Sequence, residues 1–157
     1  MSHCGRIFQI NASNGGVPKL PLHSAVVTSL GLETDHQDDR AHHGRPDRAL
    51  CLYSLERILE LQAEGHPIYP GSTGENLTLS GLDWSRLAPG TRLRLGDQVV
   101  VEVTHETTPC GKIVASFADG QIQRISQSRH PGWSRMYARV LSKGTIRIGD
   151  EVSTENE

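Results

Sequence analysis

The chain has 157 residues, 36% of them hydrophobic before its 16 glycines are counted, enough for an ordinary core and short for two catalytic domains. Lys and Arg total 16 against 18 Asp and Glu, a formal charge of −2, so no long-range positive field recruits a phosphate backbone and nucleic acid is not expected as a partner. The start, Met1-Ser2-His3-Cys4-Gly5-Arg6-Ile7, has no apolar leader, and no run approaches the ~18 apolar residues of a bilayer span, so a cytoplasmic protein with no membrane partner is expected.

In chain order, short β-rich segments dominate: Arg6 to Ile10, Ala25 to Leu30, Ala49 to Tyr53, Asn76 to Leu79, Thr91 to Leu95, Val99 to Thr104, Ala138 to Leu141 and Thr145 to Ile148. They predict a small barrel or sandwich. Gly96-Asp97 and Gly149-Asp150 fall where strands end and read as turns. One helix is clear: Ser54 is its N-cap, Leu55, Ile58, Leu59 and Gln62 follow one face, Gly65 suits the position past its end, and Pro67 stops it. Glu56, Glu60 and Glu64 then line a solvated face. A second helix is expected near Asp83 and a third over Gln121 to Ser128, while Ser153 to Glu157 reads as a frayed tail. Without repeats or linkers, residues 1–157 are expected to form a single domain, mainly β with a few flanking helices.

The chemistry-bearing residues fall between these elements. Asp35 to Arg48 is dense in ionisable groups and must be a loop; its Arg45 and Arg48 offer planar donor forks, and His43 with Gly44 allows close backbone approach. His36, His42 and His43 with neighbouring Asp residues match no ordered metal geometry, and neither a Cys-x-x-Cys nor a His-Glu-x-x-His pattern supports zinc. Of the three cysteines, Cys51 reads as core and Cys4 as a mobile terminal thiol. In Thr107-Thr108-Pro109-Cys110-Gly111-Lys112, Pro109 ends a strand and presents Cys110 at its rim, with Lys112 close by to favour thiolate. Glu75 and Asn76, in Gly71-Ser72-Thr73-Gly74-Glu75-Asn76-Leu77, can bond either a ligand or their own loop; this is not a P-loop. Arg129, Arg135 and Arg139 stand beside Trp133 and Tyr137 as a wall for an anion or a ring.

Together these islands resemble the MOSC domain, the module named after the C-terminal part of molybdenum cofactor sulfurase. The matching residues are Gly15-Gly16-Val17-Pro18-Lys19, His43-Gly44-x-Pro46-Asp47-Arg48-Ala49 with Tyr53, Gly74-Glu75-Asn76-Leu77, Pro109-Cys110, and Arg139-Val140-Leu141 with Gly144 and Ile148-Gly149-Asp150. Their order is similar to the stand-alone bacterial branch and covers roughly residues 5–152. Thr34-Asp35 stands where the family usually has Gly-Asp, and Arg45 replaces the second glycine of its His-Gly-Gly-Pro.

The resemblance implies a strongly bent β-barrel-like fold and one functional cysteine, Cys110, as ligand of molybdenum in molybdopterin or as a sulfur carrier. It implies no need for pyridoxal phosphate. Lys19, Arg48 and Arg139 are then candidates for the pterin phosphate and ring, with His43, Asp47, Glu75 and Asn76 as further cofactor-binding candidates. The activity it implies is reduction of N-hydroxylated bases or amidoximes, with Trp133, Tyr137 and the His-rich loop selecting substrate. No dinucleotide fingerprint or iron–sulfur cysteine set is present, so electrons come from an external donor protein. The alternatives are a module that passes persulfide sulfur or cofactor from a sulfur donor to a partner, or an assembly domain without working thiol chemistry.

Overall fold

The computed structural model describes residues 4–13, 16–35 and 46–155. Its strands are β1 (Cys4–Ala12), β2 (Leu20–Leu22), β3 (Ser24–Thr28), β4 (Gly31–Leu32), β5 (Leu50–Ser54), β6 (Leu77–Ser80), β7 (Arg92–Leu95), β8 (Val99–Glu106), β9 (Met136–Ser142), β10 (Gly144–Arg147) and β11 (Glu151–Thr154). The helix α1 spans Leu55–Ala63. Hydrogen bonding runs β11-β7-β8-β9-β5-β6-β1, and β11 also pairs with β1, so these seven strands close into a barrel. Closure leaves those strands without a free edge. Neighbours are antiparallel except β5 and β6, whose parallel pairing requires a crossover, and α1 lies in it. β2 extends the sheet beyond β1, and β10-β3-β4 form a separate small sheet.

Alternation along the strands drives this arrangement. Val99, Val101 and Val103 of β8 are buried, as are Leu93 and Leu95 of β7, while residues between them face outward. These side chains meet Ile7, Leu50, Leu52, Leu77, Leu79 and Val152 in one core, to which the small sheet adds Val27 and Ile146. The mainly β, barrel-like fold expected from the sequence is therefore observed.

Local details differ from the sequence reading. The Ser54 side chain caps α1 by accepting from the Arg57 N–H at 3.1 Å, but the buried face is Ile58 and Leu61, and Leu59 is exposed. Segments expected as second and third helices are single 3-10 turns at Trp84–Arg86 and Ile122–Ile125. β2, β4 and β11 escape detection because they are short and carry little alternation. Ser153 and Thr154 do not fray: β11 registers them against Arg94 and Leu93. Cys4 is likewise fixed in β1, opposite Ser153. No helix among the described residues is long and apolar enough to cross a membrane.

Leu52, fully buried on a strand flanked by β6 and β9, tests the core. Leu52→Ala should lower the unfolding free energy by about 2–5 kcal/mol, read from urea denaturation followed by circular dichroism.

Candidate functional site

The end of β8 and the loop after it build one wall of a cavity. Register on β9 shifts between Val103, opposite Ala138, and His105, opposite Tyr137. Such a bulge bends the strand and re-aims its side chains. Beyond it, the Thr107 N–H donates to the Arg135 carbonyl at 2.9 Å, and Pro109 breaks the ladder. The chain then turns into a 3-10 segment at Gly111–Ser116, with Cys110 exposed just before it.

Glu106, the loop 107–112, Arg48, Arg135 and Tyr137 enclose about 730 Å³, within the usual range of small-molecule sites. The Arg48 guanidinium lies 5.3 Å from the centre of the Tyr137 ring, a cation–π contact. Burial pushes the Tyr137 phenol well above its ordinary range, so it remains a protonated donor. Cys51, directly across the ladder from Tyr137, is buried with its Sγ 4.0 Å from the Thr107 Oγ1. Burial pushes the Cys51 thiol up as well. Of these two thiols only Cys110 meets solvent.

Arg135 is 4% exposed. Its Nη1 donates to the Thr73 carbonyl at 2.7 Å, its buried Nε has no hydrogen-bond partner, and among the described residues no carboxylate forms a salt bridge with it. The backbone around it is pinned carbonyl by carbonyl. Gly132 O accepts from Arg57 Nε at 3.1 Å, Trp133 O from the Tyr53 hydroxyl at 2.7 Å, Ser134 O from Trp84 Nε1 at 2.7 Å, and Arg135 O from Thr107. Trp133 does not line the cavity. The guanidiniums of Arg57 and Arg124 lie 4.2 and 4.0 Å from its ring centre, and Arg124 pairs with Glu64 at 2.8 and 2.9 Å. Glu56, Glu60 and Glu64, read as a solvated face, are exposed as expected, and two of them also serve as ties: Glu64 to Arg124, and Glu56 to the Gly81 N–H.

Behind the cavity lies a polar network from four segments. The Asp35 carboxylate accepts from Lys19 Nζ, from Asn76 Nδ2 at 2.9 Å and from the Ser13 N–H at 3.0 Å, while Asn76 Oδ1 accepts from the Cys51 N–H at 2.9 Å. The Glu75 carboxylate accepts from the Gly71 N–H at 2.9 Å and the hydroxyls of Thr73 at 2.9 Å and Thr78 at 3.0 Å. Gly71 is required at its place, since its φ is +91° and a Cβ there would stand 2.5 Å from the Lys19 carbonyl oxygen. Lys19, Glu75 and Asn76 therefore shape the loop whose Thr73 carbonyl holds Arg135.

Asp47 follows Pro46 in a 3-10 turn, and its carboxylate lies 2.9 Å from His105 Nε2. Arg139 is exposed on β9 and does not line the cavity; its Nε lies 3.6 Å from Glu102. His36, His42, His43 and Arg45 lie outside the described residues. Among those described, no three His, Cys, Asp or Glu side chains form a metal-binding group. Sequence reasoning put Arg135 in its aromatic wall but not among the cofactor candidates, and left His105 out altogether. The signal for Arg135 was its place at the start of the apolar strand; nothing local marks His105.

The MOSC domain family model matches residues 39–153. The chain belongs to the MOSC family. Among MOSC relatives, the uncharacterized protein YflK of Bacillus subtilis is 33% identical over 136 residues, 85% of this chain and 60% of YflK. The protein YiiM of Escherichia coli is 34% identical over 126 residues, 77% of this chain and 54% of YiiM. The chain thus spans little more than half the length of these relatives. Among solved structures, YiiM of Geobacillus stearothermophilus superposes with a TM-score of 0.73 at 25% identity, covering 97% of this chain and 75% of that one. A Bacillus subtilis protein, YuaD, superposes at 0.77 with 16% identity over 98% and 97% of the two chains, a likeness of fold.

Burial pushes the Glu75 carboxyl above its ordinary range, against the pull of its hydrogen bonds. A carboxyl raised on folding contributes stability that is full below the ordinary carboxylate range and is lost as pH rises through its folded pKa. The difference in urea midpoint between the native protein and Glu75→Gln should therefore move against the native protein as pH rises from the acid side; a difference that stays flat with pH would show that Glu75 does not titrate in this window.

Proposed function

We propose that this chain binds molybdenum–molybdopterin and reduces N-hydroxylated compounds with electrons from a separate donor protein. One observation carries the reading: the exposed Cys110 thiol shares a cavity with a buried guanidinium, Arg135, that has no anion among the described residues. A buried cation is costly unless an anion meets it. Arg48 and Lys112 add positive charge to the same walls, and among the described lining residues Glu106 is the one carboxylate. A ligand that presents both a thiophilic metal and a phosphate satisfies thiol and guanidinium together. The residues present fit that group.

Cys110 would hold the metal, while Arg135, Arg48 and Lys112 would hold the phosphate and Tyr137 would offer its ring and hydroxyl. Bound there, the cofactor supplies a metal that accepts oxygen from an N–O bond and takes up two electrons. The protein's share is orientation and exclusion of water. Lys19, Asp35, Glu75 and Asn76 set the loop that anchors Arg135, and Trp133 fixes the adjoining backbone rather than selecting substrate. A relative named "Reductase" from Gibberella moniliformis, 31% identical over 71% of this chain and 20% of that protein, supports a redox role.

Protein produced in a host that makes molybdopterin should carry close to one molybdenum per chain by elemental analysis. Cys110→Ala should lose the metal, and Arg135→Gln should lower cofactor occupancy by roughly tenfold or more, the scale of a charge-assisted hydrogen bond. Native protein free of metal and pterin would end the proposal. The exposure of Cys110 favours one other reading, a persulfide carrier. In that case incubation with a sulfur donor adds one sulfur to Cys110 by mass spectrometry in metal-free protein.

A further inference from the structure

The pair formed by Asp47 and His105 has no part in the cofactor contacts above, and its construction is elaborate for a surface ion pair. Asp47 is held at both ends of its short turn: its carbonyl accepts the Thr104 hydroxyl, and Pro46 fixes the backbone before it. Thr104 and His105 occupy the β8 bulge, which turns His105 to the face of the sheet that carries Tyr137. Tyr137, which lines the cavity, stands directly opposite His105 across the ladder, and the chain neighbours Arg48 and Glu106 line it as well, so the pair lies beside the cavity. His105 Nε2 lies 2.9 Å from Asp47 Oδ2, and among the described residues this carboxylate is the ring's hydrogen-bond partner. Both side chains are partly open to solvent, at 48% and 30%, where an ion pair contributes little to stability, about 0–1 kcal/mol.

Reduction of an N-hydroxylated compound consumes two electrons and two protons. The N–O bond breaks, one proton ends on nitrogen, and the other ends on the oxygen, which leaves as water. The electrons come from a flavin- or iron–sulfur-type donor protein; the protons must pass through groups at the cavity. Arg48 and Arg135 do not release protons. Tyr137 holds its proton too tightly, because burial pushes its phenol up. Glu106, when ionised, only accepts, and Lys112 is exposed on a long stem without an orienting contact among the described residues. Imidazole gives and takes protons near neutrality, and an aspartate on one ring nitrogen directs the exchange through the other.

We infer that His105, oriented by Asp47, delivers the proton to the departing oxygen and is recharged from solvent through its exposed edge. This role rests on the reductase reading above. The test uses cofactor-loaded protein with dithionite-reduced viologen as electron source and an amidoxime as substrate. His105→Ala should keep native molybdenum content and KM while kcat falls by about 10²–10⁴-fold, and imidazole in the buffer should restore part of the loss. A purely structural role would not respond to imidazole. In metal-free protein, nitrogen NMR of His105 should find the proton on Nε2, a preference lost in Asp47→Ala. Native turnover in a fully loaded His105→Ala, or a loss that imidazole leaves untouched, overturns this role alone. Absence of molybdenum from the native protein removes the reductase reading, and this role with it.

Discussion

Keeping a guanidinium out of water without giving it a carboxylate is a demanding arrangement, and the site is organised around it. Left to relax, Arg135 would swing toward solvent, since a desolvated charge without a counter-ion is unfavourable. The chain prevents this by immobilising its backbone. Carbonyls 132–135 take hydrogen bonds from α1, β5, the Trp84 turn and the loop after β8, so displacing Arg135 would break bonds to four parts of the fold. What remains without a hydrogen-bond partner is the buried Nε.

The polar residues divide accordingly between those that meet the cavity and those that support it. Arg48, Cys110, Arg135 and Tyr137 belong to the first group, and Lys19, Asp35, Glu75 and Asn76 to the second. The second group is buried and hydrogen-bonded on all sides, which is how a polar cluster becomes rigid rather than costly. The Trp133 clamp belongs with it. Two guanidiniums, one of them in a bidentate pair with Glu64, hold its ring in place.

The barrel was legible wherever burial is one-sided and long enough to repeat, as in Val99, Val101 and Val103 or Leu93 and Leu95. β2 and β4, of three and two residues, carry too few alternations to register, and the polar β11, with one buried residue in four, has no buried alternation to mark it. On α1, Leu59 and Leu61 are equivalent by composition, and only tertiary packing decides that Leu61 is buried. Within the site, Cys110 was legible because Pro109 marks the place where a strand must end. The partners of Glu75 and Asn76 were not, because hydrogen bonding to their own loop and to a ligand draws on the same residue types. The Asp47–His105 pair joins a loop to a strand end far along the chain and depends on a bulge that no local pattern announces.

The seam between β1 and β11 joins Cys4–Arg6 to Glu151–Ser153, two segments far apart along the chain. Until Glu151–Ser153 dock, the Cys4–Arg6 end of β1 lacks this neighbour, so the ring shuts through a contact of very long sequence separation. An open strand edge is a template for pairing with other nascent chains, and late long-range closure is slow. Production of this protein should therefore be limited by the interval before closure: slower initiation or cooler growth, which lowers the number of open rings present together, should raise the soluble fraction without any change to the finished fold.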